Sequence, residues 1–250
     1  MSPAFLFFAN VVLLTRLIVL FQDESPAGRS WLMKAGVELA VLLACYQLSP
    51  AWGGAALTVV AMNLFGWRWE RRARAPWKNV GRLLHGLGGL LVLSVFFSPA
   101  LGLALREPVV GAGLRELAQW TAFGSLLGAA LSGAAHPFLF GLLLAANEAN
   151  LLIRAAFDGL GLKPHVAPQG QGVVDVREFN RGRVIGLLER ALLYVFLLQG
   201  QYGAIGFVLA AKAFTRFKAL DDRPFAEYVL IGTLLSAGCA LLAVLVARAA

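Results

Sequence analysis

Apolar runs close to the length a helix needs to cross a bilayer, about 20 residues, follow one another along almost the whole chain. They are Pro3–Gln22, Trp31–Leu48, Ala51–Trp67, Val80–Leu105, Leu117–Ala135, Pro137–Phe157, Val184–Gln199, Phe225–Val246 and the shorter Ala204–Phe214, which needs Gln201–Gly203 to reach across. Of the 250 residues, 59% are hydrophobic and only 14% charged, whereas soluble domains carry roughly 25% charged residues. A water-soluble core of this size cannot hide so much apolar surface, so lipid must be the solvent for most of the chain. In lipid the backbone has to satisfy its own hydrogen bonds, which leaves helices as the natural solution. Small residues such as Gly124, Gly128, Ala129 and Gly133 suit helices that approach closely without a hydrophobic drive between them. The expected fold is therefore an all-α, polytopic integral membrane helix bundle.

Charge placement sets the expected topology. The formal net charge is +8, but no nucleic-acid motif interrupts the apolar runs. Basic residues in a membrane protein mark cytoplasmic loops instead. Arg68, Arg71, Arg72, Arg74, Lys78 and Arg82 oppose only Glu70 in one such stretch. A second, Gly/Pro-rich stretch carries Lys163, Arg177, Arg181 and Arg183 against Asp158, Asp175 and Glu178. If both face the cytoplasm, an even number of crossings must separate them, yet the apolar runs between them number three. Asn147, Asn150, Arg154 and Asp158 recur at helical three- and four-residue steps, the pattern of an amphipathic interfacial helix. Pro137–Asp158 is accordingly expected to be re-entrant or surface-lying. That leaves about eight spans plus one interfacial or re-entrant helix, with the N-terminus outside. Residues 1–158 form the N-terminal membrane helices, 159–183 a polar cytoplasmic loop, and 184–250 a C-terminal three-helix unit.

Charges inside the apolar runs are the candidate functional residues, because each costs roughly 2.5–3.5 kcal/mol on insertion scales. Glu189 and Arg190 lie about two turns into one helix of the C-terminal unit. Lys212 and Arg216 share a face of the next helix, and Asp221, Asp222, Arg223 and Glu227 open the last. Together they predict a cation-rich cluster at the cytoplasmic mouth. Arg190, Lys212, Arg216 and Arg223 would contact an anionic group, with Glu189, Asp222 and Glu227 holding those side chains in place. Internal neutralisation explains the same charges without any ligand, and ion or proton coupling through the carboxylates is a further possibility. Lys34 and Glu38 share a face in the less favourable order for an intrahelical pair, so Glu38 needs a partner, for which Arg16 is the obvious candidate. His85, His136 and His165 have no second ligand at metal spacing. Cys45 and Cys239 show no framework spacing and read as packed thiols. Neither a metal nor a cofactor is expected.

The segments GRVIGLLER, GQYGAIGFVLAAKAFTRF and DDRPFAEYVLIGTLLS, within Gly182–Ser236, resemble the C-terminal region of bacterial multi-pass membrane proteins, the group numbered 3307 among domains of unknown function. The resemblance implies a bacterial inner-membrane location and draws attention to the same charged residues, but no activity. That group commonly opens with a His-Leu-Leu-Gly-Asp-type segment, which this chain lacks, so no metal or hydrolase chemistry is carried over. The expected function is binding or moving an anionic amphiphile, such as a lipid headgroup, at the cytoplasmic face. The alternatives are a membrane enzyme using Glu189 or Asp222 as general base, and an accessory subunit. Membrane lipids, and a membrane protein partner or a second copy, are the expected partners; nucleic acid is not.

Overall fold

The computed structural model describes residues 1–19, 25–73, 77–106, 133–162, 176–215, 217, 221 and 223–250. Among these, regular structure is helical, apart from an isolated bridge between Tyr46 and Leu105. The helices are α1 (Pro3–Arg16), α2 (Gly28–Cys45), α3 (Pro50–Arg72), α4 (Trp77–Phe96), α5 (Gly133–Leu160), α6 (Val176–Leu198), α7 (Tyr202–Thr215) and α8 (Arg223–Ala249). Two starts follow one local rule. Ser2 Oγ accepts from Phe5 N–H and Ser49 Oγ from Trp52 N–H, each with proline next in line. A serine cap satisfies an otherwise orphaned amide, and proline at the first helical position has no amide to satisfy.

Three helices are long and apolar enough to cross a membrane: α4, α5 and Phe225–Ala249 of α8. The chain is thus an all-helical protein with the helices of a membrane protein. The expected count of about eight spans is not reached by that measure among the described residues. The run expected over Val80–Leu105 stops as helix at Phe96, and the chain then folds back so that Leu105 meets Tyr46. Most of the run Leu117–Ala135 lies outside the described residues. Backbone helix also extends downstream of the third run's close, to Arg72 in α3, and upstream of the seventh run's start, from Val176 in α6.

One expectation is overturned. Pro137–Asp158 is neither re-entrant nor surface-lying; it belongs to α5, which runs through the middle of the protein. The first half of α5 packs on α1 and α8, and its second half on α4 and α8. Asn147, Glu148 and Asn150 are buried. Asn147 and Asn150 of the polar face thus meet protein rather than water, Arg154 is half-buried and Asp158 at the end is exposed, a gradation that an amphipathic pattern alone cannot distinguish.

Two lobes share α5. On one side α1 is wrapped by α2 and α5, while α2, α3 and α4 pack in sequence. Phe8, Ala9, Val12 and Leu13 of α1 are wholly buried with Leu42, Tyr46, Ala55, Val59 and Leu93. On the other side α6 and α8 pack on α5, and α7 rests on α6 with none of its residues buried. The α5–α8 contact is close at Gly141, where a Cβ would stand 2.5 Å from Tyr194 Oη and 2.8 Å from Ala243 O.

Candidate functional site

Halfway along α5 the helix widens into a single π-helical turn, Leu144–Glu148, in which Ala149 N–H reaches back to Leu144 O. Such turns loosen the carbonyl ladder and occur frequently at functional positions. Here two arginines grip the turn from opposite lobes. Arg16, the last residue of α1, meets Glu148 in a fork, with Nε–Oε1 at 2.7 Å and Nη2–Oε2 at 3.1 Å. Arg190 of α6 donates from Nε to Ala145 O at 3.0 Å. Both guanidinium-bearing residues are 4% exposed.

The Arg16 pair is held by several neighbours, although Asn147 Oδ1 is left without a partner. Arg16 Nη2 also donates to Arg82 O at 2.9 Å, its Nη1 lies 3.3 Å from His85 Nδ1, and Asn147 Nδ2 donates to Glu148 Oε1 at 3.0 Å. His85 Nε2 stands 2.8 Å from Met62 O. A carbonyl can only accept, so Nε2 carries the proton and Nδ1 is left to accept from Arg16. Gly86 makes the approach possible, because a methyl there would overlap the Arg16 guanidinium.

Two more buried charge centres complete this lobe. Lys34 Nζ donates to Glu38 Oε1 at 2.6 Å and to Asn63 Oδ1 at 3.0 Å, while Asn63 Nδ2 donates to Glu38 Oε2 at 2.8 Å. Thr15 Oγ1 adds a 2.6 Å bond to Glu38 Oε1. The expected Arg16–Glu38 pairing is therefore incorrect: Glu38 belongs to Lys34, and Arg16 turns to Glu148. The unfavourable residue order matters little once Asn63 and Thr15 fix the carboxylate from neighbouring helices. Near the basic end, Arg82 forks onto Glu70 at 2.5 and 2.8 Å, with Lys78 at 3.8 Å. A buried pair offsets the desolvation of its charges only with good geometry and extra hydrogen bonds. All three centres are built in that way.

The C-terminal cluster is arranged differently. Lys212 of α7 meets Glu189 of α6 at 2.5 Å, with side chains 16% and 15% exposed. Arg223 pairs with Glu227 along α8 at 3.0 Å, largely in the open. Arg190, next to Glu189 in sequence, points the other way, into the α5 junction. Its Nη2 has no hydrogen-bond partner, and the same holds for Ser236 Oγ on α8. Arg216 and Asp222 lie outside the described residues. The five described residues of the seven-residue cluster thus split into a paired Glu189–Lys212 contact, a paired Arg223–Glu227 contact and a separate buried guanidinium. Neither Glu189 nor Glu227 is without a cation.

Sequence reasoning missed Glu148, Asn63, Thr15 and Ser236. Glu148 carried a usable signal, since an acid flanked by Leu, Ala and Asn inside an apolar run demands a cation. Among the described residues no group of three or more His, Cys, Asp or Glu side chains could hold a metal. A scan of family models, a search of curated proteins and a search of solved structures each return no match to this chain.

Proposed function

We propose that this chain is a multi-pass membrane protein that binds or moves an anionic amphiphile, with the α6–α8 unit as its binding part. In this reading the helices cross a bacterial inner membrane about eight times. The basic end, with Arg29, Arg68, Arg71, Arg72, Lys78 and Arg223, faces the cytoplasm, as the positive-inside bias requires. The opposite end carries Arg106 and Arg248. The resemblance of Gly182–Ser236 to the 3307 group agrees with that location.

The observation that carries the proposal is the contrast between Arg190 and the other buried cations. Arg16, Lys34 and Arg82 each have a carboxylate in direct contact. Among the described residues Arg190 has a backbone carbonyl, an unsatisfied Nη2 and no carboxylate in direct contact, the neighbouring charge of Glu189 being held by Lys212. A buried charge without a counter-charge is costly, and a ligand anion supplies the missing half through charge-assisted hydrogen bonds. A general-base enzyme is the weaker reading, because Glu189 and Glu227 are already committed to cations.

The test is the lipid that accompanies the protein into native nanodiscs, quantified by mass spectrometry. Enrichment of anionic over zwitterionic lipid is expected in the wild type and in Arg106→Gln at the opposite end. It should fall to the bulk membrane ratio in Arg190→Gln. Equal enrichment in Arg190→Gln, with an unchanged helical spectrum, rejects the proposal.

A further inference from the structure

The α6 and α8 helices run parallel. Tyr194 packs with Ala243, Val244 and Ala247, and Arg248 Nη2 donates to Leu197 O and Leu198 O. The same offset sets Arg190 at the level of Cys239 and Gly186 at the level of Ser236. The Arg190 side chain runs towards that level, since Nη1 is the one neighbour within 4 Å of a Cβ placed at Gly186, at 3.7 Å. Ser236 lies one turn before Cys239 on the same face of α8. Helical serine and threonine commonly return their hydroxyl to the preceding turn, as Thr233 does with Val229 O at 2.8 Å. Ser236, buried to 6% exposure, does not. By this register two orphaned donors, a guanidinium and a hydroxyl, lie on facing helices, Arg190 at the widened turn of α5 and Ser236 further along it, where Leu235 and Cys239 pack with Ala149 and Ile153. Gly182, Gly186 and Arg190 fall on one face of α6 at four-residue steps. A Cβ at Gly182 would meet nothing within 4 Å, so a strip without side chains leads from the basic end to the guanidinium.

We infer that Arg190 and Ser236 together form a phosphate seat, reached along the Gly182–Gly186 strip of α6. The inference rests on the anionic-amphiphile reading and names the anionic group. A guanidinium binds two oxygens of an oxyanion through its planar fork. A phosphate offers the Ser236 hydroxyl an oxygen that the fork leaves free, whereas a carboxylate would have to share one of its two oxygens between both donors. The phosphate can belong to a lipid headgroup or be free in solution.

The experiment uses the full chain in nanodiscs with phosphatidylglycerol, with phosphatidylcholine plus oleate, or with phosphatidylcholine plus inorganic phosphate, and reads bound ligand by native mass spectrometry. Wild-type retention of phosphatidylglycerol identifies a lipid headgroup, and retention of inorganic phosphate identifies the soluble source. Ser236→Ala should weaken retention about tenfold, the scale of a lost hydrogen bond to a charged group. Gly186→Leu should abolish it while leaving both donors in place. If wild type enriches anionic lipid but both variants retain it fully, the seat is wrong and the broader function survives. Equal retention of oleate overturns the phosphate assignment alone. If wild type enriches no anionic lipid, both readings fall.

Discussion

In the lobe built from α1 to α4, each buried cation rests on a carboxylate from another turn or helix. In the lobe built from α6 to α8, the deepest cation rests on a backbone carbonyl. The first arrangement is closed: Arg16–Glu148, Lys34–Glu38 and Arg82–Glu70 consume one another's charge, with Asn63, Thr15, Asn147 and His85 filling the remaining positions. In the second, no carboxylate among the described residues touches Arg190 directly. Equally buried arginines can thus do different work, and the acceptor each one finds makes the difference. Closed pairs fix how helices meet, while an incompletely matched donor is ready for a ligand.

The sharpest way to break this comparison is Glu148→Ala. It strands Arg16 in the interior and should cost about 3–5 kcal/mol of stability, read from denaturant unfolding in detergent micelles. Replacing both partners, Arg16→Met with Glu148→Leu, should recover most of that loss. If the single substitution costs under about 1 kcal/mol, the pair is not the anchor described. Gly86→Ala comes next, at about 1–3 kcal/mol, because its methyl competes for the Arg16 guanidinium's space. In the other lobe Arg190→Leu should cost only about 1 kcal/mol, one hydrogen bond to a carbonyl, while removing the anionic lipid. A loss as large as that of Glu148→Ala would mean that Arg190 has a structural counter-charge after all. Smallest of all, Glu227→Ala should change stability by less than about 0.5 kcal/mol, since its pair with Arg223 is exposed and screened. The midpoint of thermal unfolding should stay within the scatter of replicates.

Apolar run length made the helices legible, and the shared depth of Glu189 and Lys212 followed from counting turns along α6 and α7. The centre of the molecule was not legible, for two physical reasons. A polar stripe at helical spacing looks the same whether it faces water or other helices, so the Asn147–Asp158 face was assigned to an interface. Pairing between residues 16 and 148 is also invisible to local spacing, and Glu38 took the nearer lysine instead. A charge balance does not single out the pair either, since Arg16, Lys34, Arg82, Arg154, Arg190 and Lys212 outnumber Glu38, Glu148, Glu189 and Glu227 within the apolar runs. Ser236 gave no signal at all, since one serine among Leu, Ala and Gly is ordinary composition.

The single wide turn in α5 carries a geometric consequence. An α-helix advances about 100° per residue, so one extra residue in a turn rotates everything after it by about that angle. Ala145 and Glu148 are offered to partners on different sides for this reason, and α5 can serve as the common wall of both lobes. Shortening that turn by one residue would straighten the spiral and swing the carboxylate away from α1, separating the two halves of the protein without touching either arginine.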